Sequence, residues 1–173
     1  PGEQFAALLL DPLHHQPDGA VALPFALSAF EHALFSSALC DDRIEAIEVK
    51  LVGDYLGDRE AEVWLTRQGL AGVRRCDGAD LPDWSAYVPY SFDREQVVLQ
   101  AGVSDFGTAG PNAGYAAWPV HGEQWTLTIP PPDKAPANLD LDLRHVADVV
   151  LRLHHRAGSI APAGQGVFTP NCG

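Results

Sequence analysis

The sequence predicts an all-β fold, an antiparallel β-sandwich of jelly-roll type, on three observations. Apolar and polar residues alternate with period two in four separate runs. Clusters of Gly, Pro and Asp punctuate the chain between those runs. The composition lacks helix-favouring residues, with no Met and only 11 Lys and Arg together.

The runs come in order along the chain. Between Arg43 and Leu51, Ile47, Val49 and Leu51 point one way and Glu48 and Lys50 the other. Between Glu60 and Gln68, Ala61, Val63 and Leu65 alternate with Glu62, Trp64 and Thr66. From Gln124 to Ile129, Trp125, Leu127 and Ile129 share a face opposite Gln124, Thr126 and Thr128. From Val149 to Arg156, Val149, Leu151 and Leu153 alternate with Val150, Arg152 and His154. One apolar and one wetter face is the mark of an antiparallel sheet solvated on one side. Gln96–Val103 is a further strand candidate, and Ala29–Leu39, with Phe30, Leu34 and Phe35, suits a strand or a short helix.

The connections fit that reading. Gly53-Asp54-Tyr55-Leu56-Gly57-Asp58 reads as a hairpin-like link. Cys76-Asp77-Gly78 and Leu81-Pro82-Asp83 mark a loop. Gly107–Gly114, with three glycines and a proline, reads as a mobile or ligand-binding loop. Pro130-Pro131-Pro132 stops the strand before it, because proline cannot donate to a ladder. One helical turn is expected at Leu143–Ala147, just before the last strand. The expected organisation is one sandwich domain over residues 1–157 and an extended or poorly ordered tail over 158–173.

A chain of 173 residues suits one domain and buries roughly 70% of its unfolded surface, so its core needs no staples. Asp and Glu number 23 against those 11 basic residues, a formal net charge of −12. That charge repels a nucleic-acid backbone and an anionic membrane surface alike. No apolar run of ~18 residues is present, so no membrane-spanning helix is expected. The start, Pro1-Gly2-Glu3, carries no basic leader and no initiator Met, as expected of a fragment or a processed product. The three cysteines, Cys40, Cys76 and Cys172, show no CxxC pair and no metal-ligand spacing. They leave two alternatives open: a Cys40–Cys76 bridge, or three free, partly buried thiols.

No residue pattern singles out an active site, and no enzyme activity is expected. None of the serines lies in a G-x-S-x-G elbow, no phosphate-binding glycine loop appears, and the acids are scattered over turns and outward faces. His14-His15 and His154-His155 are adjacent pairs, and strand neighbours point to opposite faces, so neither pair chelates one metal. Asp54, Asp58 and Asp105 lie near glycines and offer oxygen ligands of the kind calcium prefers, but no D-x-D-x-D-G loop holds them. No cofactor is expected beyond such a structural calcium. Trp84, Tyr87, Tyr115 and Trp118 fall in loop-rich segments and are the candidate binding residues, since exposed aromatics stack on sugars or anchor protein partners. Trp125 shares its face with Leu127 and Ile129 and reads as core. Trp64 is ambiguous, because a central strand can be buried on both faces.

Three stretches together resemble a known family. Arg43-Ile44-Glu45-Ala46-Ile47-Glu48-Val49-Lys50-Leu51, then Gly53-Asp54-Tyr55 and Ala61-Glu62-Val63-Trp64-Leu65, is the first. Trp118-Pro119-Val120-His121-Gly122-Glu123 with Trp125-Thr126-Leu127-Thr128-Ile129-Pro130 is the second. Asp142-Leu143-Arg144-His145-Val146-Ala147-Asp148-Val149-Val150-Leu151-Arg152-Leu153-His154-His155-Arg156-Ala157 is the third and most specific. In order and spacing they resemble the C-terminal region of the large A component of bacterial insecticidal toxin complexes, the Tc toxins. The likeness covers roughly Phe30–Ala157. It departs at Asp54, where the family has proline, and at Val120-His121, where it has Phe-Glu. The resemblance implies an all-β assembly module of a large, multimeric, secreted or cell-surface protein. It implies a B-type toxin component as protein partner and carries over no catalytic residue. The other expectation, drawn from the loop aromatics, is a carbohydrate-binding sandwich.

Overall fold

The computed structural model describes residues 7–27, 39–56, 60–77, 87–103, 105–108 and 117–159. It is all-β. The strands are β1 (Val21–Leu27), β2 (Leu39–Gly53), β3 (Ala61–Arg74), β4 (Tyr87–Gly102), β5 (Gly107–Thr108), β6 (His121–Ile129) and β7 (Val146–Ser159). Short 3-10 turns accompany them among the described residues: η1 (Pro12–His14), η2 (Pro136–Asn138) and η3 (Leu143–His145). The four alternating runs all lie inside strands, namely β2, β3, β6 and β7. The turn expected before the last strand is η3. Asp142 caps it, its side chain accepting from Arg144 N, and η3 feeds directly into β7.

Hydrogen bonding links the strands into one seven-stranded sheet of order β1-β6-β3-β4-β2-β5, with β7 paired to β2. Every ladder is antiparallel except β2–β4, which is parallel and spans only Val49↔Ala101 and Lys50↔Gly102. That narrow join divides the sheet into two layers, β1-β6-β3-β4 and β2-β7-β5. The layers face each other: Leu151 and Leu153 of β7 share a cavity with Phe25 of β1, Leu65 of β3 and Trp125 of β6. The finer jelly-roll expectation finds no support in this strand order.

The core is built from the apolar sides of the alternating strands. Ile47, Val49 and Leu51 of β2, Val63 and Leu65 of β3, Leu99 of β4 and Trp125 of β6 are all buried in one cluster. Each such side chain contributes about 1.5–3 kcal/mol by leaving water. The opposite side chains of β3 and β6 remain polar, so the β1-β6-β3-β4 layer is wet on its outer side. Asn138, buried in η2, closes one end. Its Oδ1 accepts from Glu62 N, and its Nδ2 donates to Glu62 O and Pro130 O. It thus satisfies the backbone where the proline run ends β6.

Two expectations change. Gly53–Asp58 is not a hairpin, because β4 lies between β2 and β3 in the sheet. The turn chemistry was local, whereas β2 finds its long ladder with β7, from Leu39↔Ser159 to Gly53↔Val146. The strand expected at Gln96–Val103 is the second half of a much longer β4, whose first half pairs with β3 although its exposed side chains show no alternation. A strand with no counterpart among the expectations, β1, contains Pro24. As an edge strand, β1 tolerates a residue with no N–H to donate. Of the Ala29–Leu39 candidate only Leu39, which opens β2, is described. The rest of that segment, the Trp84 loop, most of the Gly107–Gly114 loop and the tail from residue 160, Cys172 included, lie outside the described residues.

Of the two alternatives for the cysteines, the bridge is present: Cys40 and Cys76 form a disulfide across a sequence separation of 36. It ties the start of β2 to the end of β3, strands that share no ladder. Gly158 of β7 packs on it, and a Cβ there would sit 3.1 Å from Cys40 Sγ. Closing a loop of this length constrains the unfolded chain and adds about 2–4 kcal/mol. Urea unfolding of the Cys40→Ala, Cys76→Ala double variant should show that loss, and the wild type in reductant should show the same.

Candidate functional site

The inward face of β3 runs Ala61, Val63, Leu65 and then, against the apolar trend, Arg67. Arg67 is 1% exposed. Its guanidinium donates to Pro119 O and His121 O, each at 2.6 Å. Aromatic faces complete the enclosure: Phe92 at 4.6 Å, Trp125 at 4.7 Å and Trp118 at 5.9 Å from the charged carbon. Ring faces are electron-rich and suit a cation stripped of water. Burial still pulls the guanidinium down to about 10. Gly122 is required beside it, since a Cβ would come within 2.5 Å of Arg67 Nη2. Gly69, at φ +79°, sits where the ladders on both sides of β3 shift register just beyond Arg67.

This arrangement corrects one site expectation. Trp118 is not an exposed binding aromatic. It is 7% exposed and tilted against Phe92 and Trp125 as a wall of the Arg67 enclosure. Its loop is pinned by Ile44 N donating to Trp118 O and by Ala117 N donating to Ile44 O, which turn the ring inward. Trp125 is core, as expected, at 1% exposure. Tyr87 is the first residue of β4, with its backbone opposite Arg74. Trp84 and Tyr115 lie outside the described residues.

Two surfaces remain as candidates, one on each side of the β3–β6 pair. The inner one is an apolar cleft of about 280 Å³ between the layers, lined by Phe25, Leu27, Leu65, Trp125, Leu151 and Leu153, with Val120 and His155 beside them. It opens between β1 and β7, each of which has a single ladder partner among the described strands. Near it, β7 is tied to β2 by acid–histidine contacts. His155 Nδ1 lies 2.5 Å from Asp42 Oδ1. His154 Nε2 lies 3.0 Å from Glu48 Oε2, which also accepts from Arg152 at 3.2 Å. Burial pushes the Asp42 carboxyl up, against the His155 contact. The His154 contact, with Arg152 behind it, holds the exposed Glu48 carboxyl below its usual value. The two histidines thus serve separate acids, as strand alternation requires.

The outer surface is a polar groove of about 580 Å³ on the wet side of β1, β6 and β3, with Trp64 in its floor. His14 lines this groove and His155 the cleft, so these histidines do not meet. Among the described residues no group of three or more His, Cys, Asp or Glu could hold a metal, and no helix is long and apolar enough to cross a membrane. Asp58, one of the three carboxylates considered for calcium, lies outside the described residues.

The sequence reading missed Arg67, the acid–histidine contacts and the role of Trp64. Arg67 had a signal, because it continues the inward parity of Ala61, Val63 and Leu65. The contacts had none, since they depend on bulges in β2 between Cys40 and Arg43 and between Ile44 and Ala46.

No protein-family model matches the chain, and no curated protein matches it.

The enclosure has consequences for both stability and pH dependence. Arg67→Ala leaves two buried carbonyls without donors and a cavity among three rings, and should cost about 3 kcal/mol or more in denaturant unfolding. Arg67→Lys keeps the charge but not the fork, and should cost about 1–3 kcal/mol. Burial, and then the Arg67 charge, pull the His121 imidazole below its ordinary 6.5. Below 6.5 the unfolded chain gains a proton that the folded chain resists. The stabilisation is complete above that value and is lost as pH falls through the folded value. Unfolding midpoints should decline as pH falls below His121's ordinary 6.5, and His121→Gln should flatten that decline.

Proposed function

We propose that this chain is a non-catalytic assembly module that docks a partner protein, with a B-type toxin component as the partner. The observation that carries this reading is the open side of the sandwich, where edge strands β1 and β7 flank an apolar cleft. An edge strand presents unpaired N–H and C=O groups, and a neighbouring apolar cleft supplies side-chain pockets. The stretch most similar to the Tc toxin A component, Asp142–Ala157, corresponds to η3 and β7, and β7 forms one lip of this cleft through Leu151, Leu153 and His155.

Charge supports the same reading. The chain is acidic overall, yet β7 carries Arg152, His154, His155 and Arg156. A partner segment with an apolar centre and acidic flanks complements that edge. The disulfide supports a secreted or cell-surface location, since such bonds persist in oxidising compartments. The acid–histidine contacts are spent on holding β7 against β2, which leaves them a structural part in this reading. The parent protein, by the same resemblance, is multimeric.

Mixing the chain with a Tc-type B component should give a complex that co-elutes in size-exclusion chromatography. Leu153→Asp in the cleft and Arg152→Glu on the exposed side of β7 should each weaken it about tenfold or more. Failure of the wild-type chain to bind, or binding indifferent to both substitutions, would count against the cleft as the docking site.

A further inference from the structure

The outer face of the β1-β6-β3-β4 layer is ordered in rows. Ala22, Thr128, Trp64 and Val98 stand directly opposite one another across the four strands. Pro24, Thr126, Thr66 and Gln96 form the next row. Ladder register therefore sets Trp64 among three threonines, with Thr66 Oγ1 3.4 Å from Gln96 Oε1. The turn after η1 overhangs these rows with Gln16 and Asp18 and makes the face concave.

Three features define what this groove takes. The Trp64 ring is partly exposed and oriented in advance, because its Nε1 donates to Glu62 Oε1 at 2.7 Å. A fixed indole face offers stacking to an apolar ring face at little entropic cost. Around it stand hydroxyls and an amide, Thr126, Thr128 and Gln68, which both donate and accept, while Thr66 is buried beneath them. Charge is nearly balanced, since Asp18 is held in an ion pair with Lys134 and Arg94 supplies one cation. A groove of about 580 Å³ lies in the usual range for small-molecule sites. An aromatic platform ringed by neutral hydrogen-bonding groups matches a ligand with C–H faces and many hydroxyls.

We propose that this groove is a carbohydrate-binding site for a short neutral oligosaccharide, with Trp64 as the stacking platform and Thr126, Thr128 and Gln68 as hydroxyl partners. The site does not depend on the docking role. Trp64 and Thr126 point outward from the strands whose Leu65 and Trp125 point into the cleft, so both surfaces can be occupied together.

The test is a glycan array of neutral and acidic oligosaccharides probed with the full chain, then calorimetric titration of the strongest neutral ligand. Saturable binding of a neutral oligosaccharide is expected. Trp64→Ala should weaken it about tenfold or more, and Trp64→Phe should retain it within a few-fold. Gln68→Ala and Thr128→Val, less exposed to folding failure, should each weaken it by roughly threefold or more. Binding to a B component should be unchanged in all four variants. An array blank for neutral glycans, hits confined to acidic glycans, or a neutral ligand whose affinity ignores Trp64→Ala, Gln68→Ala and Thr128→Val would overturn the proposal.

Discussion

A charged side chain at the centre of an apolar layer constrains everything around it, and Arg67 is that side chain. It is held by two carbonyls of the 117–121 segment and by three rings. Each ring comes from a different place: Phe92 from β4, Trp118 from the loop before β6, and Trp125 from β6 itself. A buried cation is costly unless every one of these groups is in position. Arg67 therefore specifies how the 117–121 segment enters β6. That entry in turn places Val120 on the cleft and Gly122 close against the guanidinium. The glycine at Gly69 and the register shifts around it fit the same demand, since the regular ladder ends where the long side chain must be accommodated.

The sandwich is joined at both ends by unlike means. At the Ala61 end of β3 the layers meet in the short parallel contact between β2 and β4. At the Arg74 end they meet through the Cys40–Cys76 disulfide. Between these joints β2 also bonds the segment that enters β6, through Ile44 N to Trp118 O, Ala117 N to Ile44 O and Val120 N to Asp42 O, while β1 and β7 share no ladder among the described strands. The alternation of β3 and β6 then gives the molecule two chemically distinct surfaces from one pair of strands, apolar inside and hydroxyl-lined outside.

How much of this was legible in the sequence follows from the range of the forces involved. Strands β2, β3, β6 and β7 were legible because each buries one face, and burial imprints period two on the residues themselves. The first half of β4 was not, because its side chains are mostly exposed and it is held by the ladder to β3 and by the contacts of Tyr90 and Phe92 with distant arginines. Pro24 hid β1, since tolerance of proline depends on the strand lying at an edge, which is a property of the assembled sheet. The aromatic residues show the same limit. Trp125 declared itself core through Leu127 and Ile129, but Trp118 lies in a loop and is turned inward by bonds to Ile44, far away in sequence. Trp64 could be resolved only when Thr126 and Thr128 were seen beside it. Which cysteines pair was open for a related reason, as their approach depends on two layers that share no ladder.

The edge strand β7 has to satisfy two opposed requirements. A long exposed edge invites indiscriminate pairing, and proteins blunt such edges with charge and bulges. Both devices occur toward its C-terminal half, where Arg152 and Arg156 lie and the β2–β7 register shifts between Ile44 and Ala46. Glu48 draws the Arg152 charge toward β2, and the contacts of Glu48 with His154 and of Asp42 with His155 tie the strand to β2. Leu151 and Leu153 lie in the same stretch but face the cleft, so the apolar contact is reachable only by a partner that also meets the charges. An apolar segment alone gains too little at such an edge, and an acidic segment alone finds Arg152 already engaged by Glu48. In the proposed docking role, selectivity at this edge comes from requiring both at once, a discrimination that burial or charge could not supply separately.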